Sequence, residues 1–190
     1  AWFDLAKSVL LSCNANSNTG PRTTYRQLSV AKHALSECLA CGNTDSRDAA
    51  VRLQGAVLLE EGKLDDSEAI FAARTLSSTS AIDAAILCVI ADMREDGLEA
   101  KCAAACAADA TEVSPNPGVL RAISALHDVS NYLITFGLTK SAASALTIAD
   151  RALVLAYKRN RMLASWVGSP HIKAQRRVLH ARLSIDTNIA

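Results

Sequence analysis

Residues 50–74, AVRLQGAVLLEEGKLDDSEAIFAAR, decide the fold class. Val51, Leu53, Val57 and Leu58 recur at helical spacing. Gly62-Lys63-Leu64-Asp65-Asp66 interrupts the run, and Leu64, Ser67, Ile70 and Phe71 resume it. Gly62 can take the positive φ that ends a helix, and Asp65 or Asp66 can accept from free N–H groups where the next one starts. The stretch therefore reads as two short helices folded back on each other. Such a pair cannot bury its apolar faces alone and has to stack on others like it.

The rest of the chain supplies them. Half of the 190 residues are apolar but only 4% are aromatic, so the core has to be built from Ala, Leu, Val and Ile. Four prolines and eight glycines leave room for long helices, and no run alternates apolar with polar in the manner of a strand. Ahead of the opening stretch, the pattern predicts helices over 2–13 (Trp2, Leu5, Ala6, Val9, Leu10 and Cys13 along one side) and 23–41 (Leu28, Ala31, Leu35 and Cys38 inward). Behind it come 81–93, with Ser80 and Asp83 in an N-cap arrangement, then 98–110, 119–136, 139–159 and 171–185. Residues 14–21 and 111–118 read as loops, the second with Asn116 capping and Pro117 in the next first turn. The longest uninterrupted apolar run, 84–91, is far short of a membrane span. The chain starts at Ala1 with no charged-then-apolar leader pattern, which a removed leader would equally produce.

Gly62, Gly97 and Gly137 each fall between two helices of a pair. The small residues just past these turns, Ser67, Ala100 and Ala142, are spaced 33 and 42 apart, the excess matching the Pro-containing loop. Periods in the thirties mark helical solenoids. Gly55, Leu58, Gly62, Leu64, Ser67 and Phe71 resemble the alternating small and large positions of a tetratricopeptide repeat (TPR). Cys88, Ala91, Ala100, Ala104 and Ala107 form a weaker unit, and Ser130, Leu133, Ala142, Leu146 and Ala149 another. The departures are Val51 at the family's first-helix Trp position, and Ser67 and Arg74 at its second-helix Ala positions. The spacing is also compatible with other α-α repeat families or with an irregular helical bundle.

The resemblance implies an all-α fold, a right-handed α-α superhelix of about five antiparallel helix pairs in one domain. Residues 1–44 would be an irregular first pair, 45–160 the repeat-like core and 161–190 a basic capping helix. It also implies a concave groove for a partner helix or extended segment, lined by Arg52, Ala56, Leu59 and Glu60 in the best unit and by His127, Asn131 and Ile134 in the last. The family's clamp for a terminal carboxylate is not expected, because Ala56 and Val89 replace needed polar groups although Asn131 matches.

The chain carries a net charge of +1, distributed unevenly. Residues 61–115 hold four basic and eleven acidic groups, and 116–190 hold ten basic and three acidic. Residues 151–182 contain no acidic residue. Arg159, Arg161, Lys173, Arg176, Arg177 and His180 form a basic face there, with Val178, Leu179, Ala181, Leu183 and Ile185 as its apolar side. Such a face attracts an acidic protein or a phosphate backbone such as RNA. It equally suits a solvated surface, or internal pairing with the acidic segment. Tyr157 and Trp166 are too few for base stacking along a single strand.

Motifs for chemistry are sparse. Cys38 and Cys41 make a CxxC without a βαβ context, and Cys102 and Cys106 lie one helical turn apart. Together they could form a four-thiolate zinc site, but nothing forces the pairs to meet. With Cys13 and Cys88 they are expected to be free thiols packed as small hydrophobes in a reducing, intracellular compartment. There is no HExxH, no phosphate-cradling Gly-rich loop and no GxSxG elbow. The expected function is a non-catalytic protein–protein interaction scaffold or adaptor within a larger assembly, with no cofactor, metal or membrane span. An RNA- or phosphate-contacting subunit is the first alternative, and a helical enzyme or metal protein with an unrecognised site the second.

Overall fold

The computed structural model describes residues 1–15, 21–41, 44–77, 80–94, 118–159 and 170–188. These form eight helices and no strand: α1 (Trp2–Ala15), α2 (Pro21–Ala40), α3 (Thr44–Glu60), α4 (Leu64–Ser77), α5 (Ala81–Met93), α6 (Gly118–Thr135), α7 (Thr139–Arg159) and α8 (Pro170–Asn188). The protein is all-α. The helix expected over 98–110, the turn at Gly97, the loop 111–117, Cys13's side chain, Cys102 and Cys106 lie outside the described residues.

The opening stretch folds as its residues require. Gly62 adopts φ +78°, and the chain turns back on hydrogen bonds from Gly62 N to Leu59 O (3.0 Å) and Lys63 N to Leu58 O (2.9 Å). The turn between α6 and α7 repeats this pattern. Gly137 has φ +73°, and Gly137 N and Leu138 N donate to Ile134 O and Leu133 O at 3.0 and 2.9 Å. The helix crossings match as well. Ser67 Oγ of α4 donates to Gly55 O of α3 (2.9 Å), and Ser130 Oγ of α6 donates to Ala142 O of α7 (3.1 Å). In each hairpin the residue seven before the turn glycine meets the residue five after it, and both are small because the backbones nearly touch.

The helices pack serially as hairpins α1/α2, α3/α4 and α6/α7. α2 meets α3, α4 meets α5, α5 meets α6, and α8 lies on α6 and α7. α5 also touches α7, and α3 reaches α7. Ala84, Ala85, Ile86, Cys88, Val89, Ile90 and Ala91 of α5 are all buried, which places this helix at the centre. Leu28, Ala31, Leu35 and Cys38 of α2 are buried as expected. On α1 the buried residues are Ala6 and Leu10, whereas Trp2 and Leu5, expected on the packed side, are exposed. Lys7 of α1 lies over the Phe136 ring at the end of α6, with Nζ 5.9 Å from the centroid.

Ion pairs stitch successive hairpins. Lys32 of α2 reaches Glu61 at 2.9 Å, Arg94 takes both Asp65 and Glu68 of α4, and Arg151 of α7 holds Asp92 of α5 at 2.7 Å. Asp65 therefore serves Arg94 from inside the first turn of α4.

Candidate functional site: a buried charge cluster and a basic outer face

Ser80 caps α5, its Oγ accepting from Asp83 N at 3.4 Å. The cap sets Asp83, in the first turn, against the middle of α3 and the end of α4. Arg52 of α3 donates from Nε to Asp83 Oδ1 (2.7 Å) and from Nη2 to Oδ2 (3.2 Å). Arg74, in the last turn of α4, donates from Nε to Asp83 Oδ2 (2.9 Å) and from its Nη atoms to the Asp48 carboxylate (2.6 and 3.2 Å). Asp83 is fully buried and Arg74 nearly so, and two acids balance two bases. The hydrogen bond to Asp83 raises the Arg52 guanidinium above its ordinary value, and that to Asp48 does the same for Arg74. Arg74 in turn holds the Asp48 carboxyl below the usual carboxylate range. Burial beside this cluster pushes the Tyr132 hydroxyl up. With N–H donors on both oxygens, Asp83 is saturated. Its chemistry is that of a strut joining three helices.

The groove residues expected from the sequence divide. Arg52 is spent on Asp83, with its Nη2 also on Ser80 Oγ at 3.3 Å. Leu59 is fully buried and belongs to the core. Glu60 crosses to the start of α7, accepting from Lys140 N (3.0 Å), Ser141 N (2.8 Å) and Ser141 Oγ (2.6 Å). His127 is fully buried on α6, with no hydrogen-bond partner at either ring nitrogen among the described residues. Only Asn131 is exposed, and its Oδ1 accepts from Arg182 Nη1 of α8 at 2.6 Å. Arg52 and His127 stand ten residues before their turn glycines, so they occupy matching places in two hairpins and both face the next element along.

The basic face also divides. Arg176 Nε and His180 Nε2 both meet Asp150 of α7, at 2.5 and 2.9 Å. Lys173 and Arg177 are exposed and enter no ion pair among the described residues, and exposed Val178 lies beside Arg177. The Arg159 side chain and all of Arg161 lie outside the described residues.

Cys38 is a buried free thiol and Cys41 an exposed one, and Cys88 is buried in the core. Cys38 Sγ lies 3.7 Å from Ser46 Oγ. Among the described residues no three His, Cys, Asp or Glu side chains are grouped to hold a metal ion, and no helix is long and apolar enough to cross a membrane.

In the sequence Asp83 stood only as part of an N-cap and Arg74 only as a departure from the repeat pattern, while Ser141 and Asp150 carried no expectation. The available signal was a lone charge inside an apolar run, Asp83 in AIDAAILCVIA and Arg74 in AIFAARTL. Such a charge needs a buried partner. Compared with known proteins, the chain matches no family model, no curated protein and no solved structure.

Proposed function

We propose that this protein is a non-catalytic scaffold, a short right-handed winding of TPR-like hairpins that docks an acidic partner protein on the outer face of α8. The matching turns at Gly62 and Gly137 support the winding. The contacts of Arg52 and Glu60 within the chain, and the burial of His127, move the docking from the inner groove to the outside. The observation that carries the reading is the exposure of Lys173 and Arg177, one helical turn apart on α8 and without an ion pair among the described residues, next to the exposed apolar side chain of Val178. A partner fitting this face offers carboxylates around an apolar side chain, as an amphipathic acidic helix does.

The test is affinity capture of native partners by wild type and by Lys173→Glu/Arg177→Glu at two salt concentrations. The expected result is a defined protein partner captured by wild type, resistant to ribonuclease, weakened by salt and lost in the double variant. Ribonuclease-sensitive capture would replace the scaffold with an RNA-contacting subunit, since counterion release from phosphates is the alternative source of salt dependence. Unchanged capture by the double variant would remove α8 from the docking surface.

A further inference from the structure

The α6–α7–α8 junction holds a group with no structural use. His127 is fully buried, and both ring nitrogens lack a hydrogen-bond partner among the described residues. Buried polar atoms of a folded protein are almost always hydrogen-bonded, because an unpaired one costs about 1–3 kcal/mol. The core around it would accept an apolar ring more cheaply.

The surrounding charges give that histidine a direction. Asn131, one turn further along α6, is held by Arg182 of α8, and Asp150 of α7 with Arg176 and His180 of α8 make up the charged surroundings that act on the ring. Asp128, its neighbour on α6, is exposed. Asp150 is already shared by Arg176 and His180, so its charge is largely spoken for. An imidazolium at position 127 would stand in a buried place close to the permanent cation of Arg176.

α8 is also the helix set up to yield. It packs on α6 and α7, through buried Ile172, Leu179 and Leu183. The side-chain ties described for it, Arg176 and His180 to Asp150 and Arg182 to Asn131, are exposed, and exposed pairs contribute little.

We infer that His127 is an acid-sensitive catch, which holds α8 on the α6/α7 hairpin while neutral and releases it when protonated. Burial pushes the His127 imidazole below its ordinary value of about 6.5. The folded chain therefore binds fewer protons than the released form just below that pH. Docking is complete above about pH 6.5 and is lost as pH falls from there towards the folded value, by up to tenfold in the equilibrium per pH unit. His180 also meets Asp150, in a half-exposed contact, and the His180→Gln variant isolates its part.

The experiment is hydrogen exchange on the full chain, with protection factors corrected for the intrinsic pH dependence, between pH 7.0 and 5.0. Wild type, His127→Phe and His180→Gln are compared, and the His127 ring is followed by NMR in the wild type. Protection in α8 is expected to fall about tenfold from pH 6.5 to 5.5 while α3 and α4 keep theirs. The fall should vanish in His127→Phe and persist in His180→Gln, and the His127 ring signal should stay neutral through pH 6.5. Should His127→Phe not fold, His127→Leu takes its place. A fall that survives loss of His127, a simultaneous fall in every helix, or a His127 ring that titrates at its ordinary pH in the folded protein would each overturn the inference.

Discussion

At the scale of single residues, the crossing of α3 and α4 is governed by Gly55 and Phe71. A Cβ on Gly55 would lie 2.7 Å from Phe71 Cε2 and 2.9 Å from Cζ, and Phe71 is fully buried. Gly55→Ala gains about 1 kcal/mol of helix propensity and meets an overpacking cost of about 1–3 kcal/mol. A net loss is expected in denaturant unfolding, and it should shrink or reverse in a Phe71→Leu background that frees the space. Phe71→Ala should cost about 3–5 kcal/mol through the cavity it leaves. A loss below about 1 kcal/mol would contradict its burial. Tyr132 makes a separate prediction. Its folded value lies above the unfolded value of about 10, so the folded state keeps a proton that the unfolded chain gives up. Stability is fully present below pH 10 and declines above it, by up to about 1.4 kcal/mol per pH unit. Unfolding midpoints at pH 9 and 11 should show this alkaline loss in wild type and little of it in Tyr132→Phe.

At the scale of elements, α7 begins with a cap borrowed from another hairpin. The first N–H groups of a helix have no partner within it. At α7 two of them, on Lys140 and Ser141, go to Glu60 at the end of α3. A carboxylate there also meets the positive end of the helix dipole. Loss of an N-cap costs about 0.5–2 kcal/mol, and hydrogen bonds to a charge stand at the upper end. Glu60→Ala should therefore destabilise by about 1–2 kcal/mol. Hydrogen exchange should quicken first at the Lys140 and Ser141 amides, and unchanged rates at those two amides would show that the cap is not formed in solution.

At the scale of the whole molecule, Asp83 joins three helices around the buried α5. Removing one partner of a buried ion pair costs about 3–5 kcal/mol because the other charge is stranded. Asp83→Ala should fall in that range, and Arg52→Ala in the same background should cost less than it does alone, a coupling of about 0.5–3 kcal/mol. The outer cations behave oppositely. Lys173→Glu and Arg177→Glu should each change stability by no more than about 0.5 kcal/mol, whereas Arg176→Glu should cost more, since it sets two carboxylates together at Asp150. Equal effects at 176 and 177 would mean that the Asp150 contact contributes nothing.

Local chemistry determined what the chain alone could reveal. Gly62 and Gly137 are the residues that tolerate the left-handed turn, Ser80 has the side chain that caps a helix, and the spacing of Leu28, Ala31, Leu35 and Cys38 exposes one apolar face. Each depends on neighbours a few positions away, so the helices and their hairpins were legible, with ends within a few residues. Tertiary structure alone decided which face met which partner. Arg52, Glu60 and His127 could be placed on one side of their helices, but the sequence holds no sign that Asp83, Ser141 or Asp150 would stand opposite. Nor could it show that Trp2 and Leu5 would remain exposed while Ala6 and Leu10 were covered. Such pairings join residues tens of positions apart, and the packing of a central α5 selects them because a charge inside an apolar core has to find its counter-charge wherever the fold brings one.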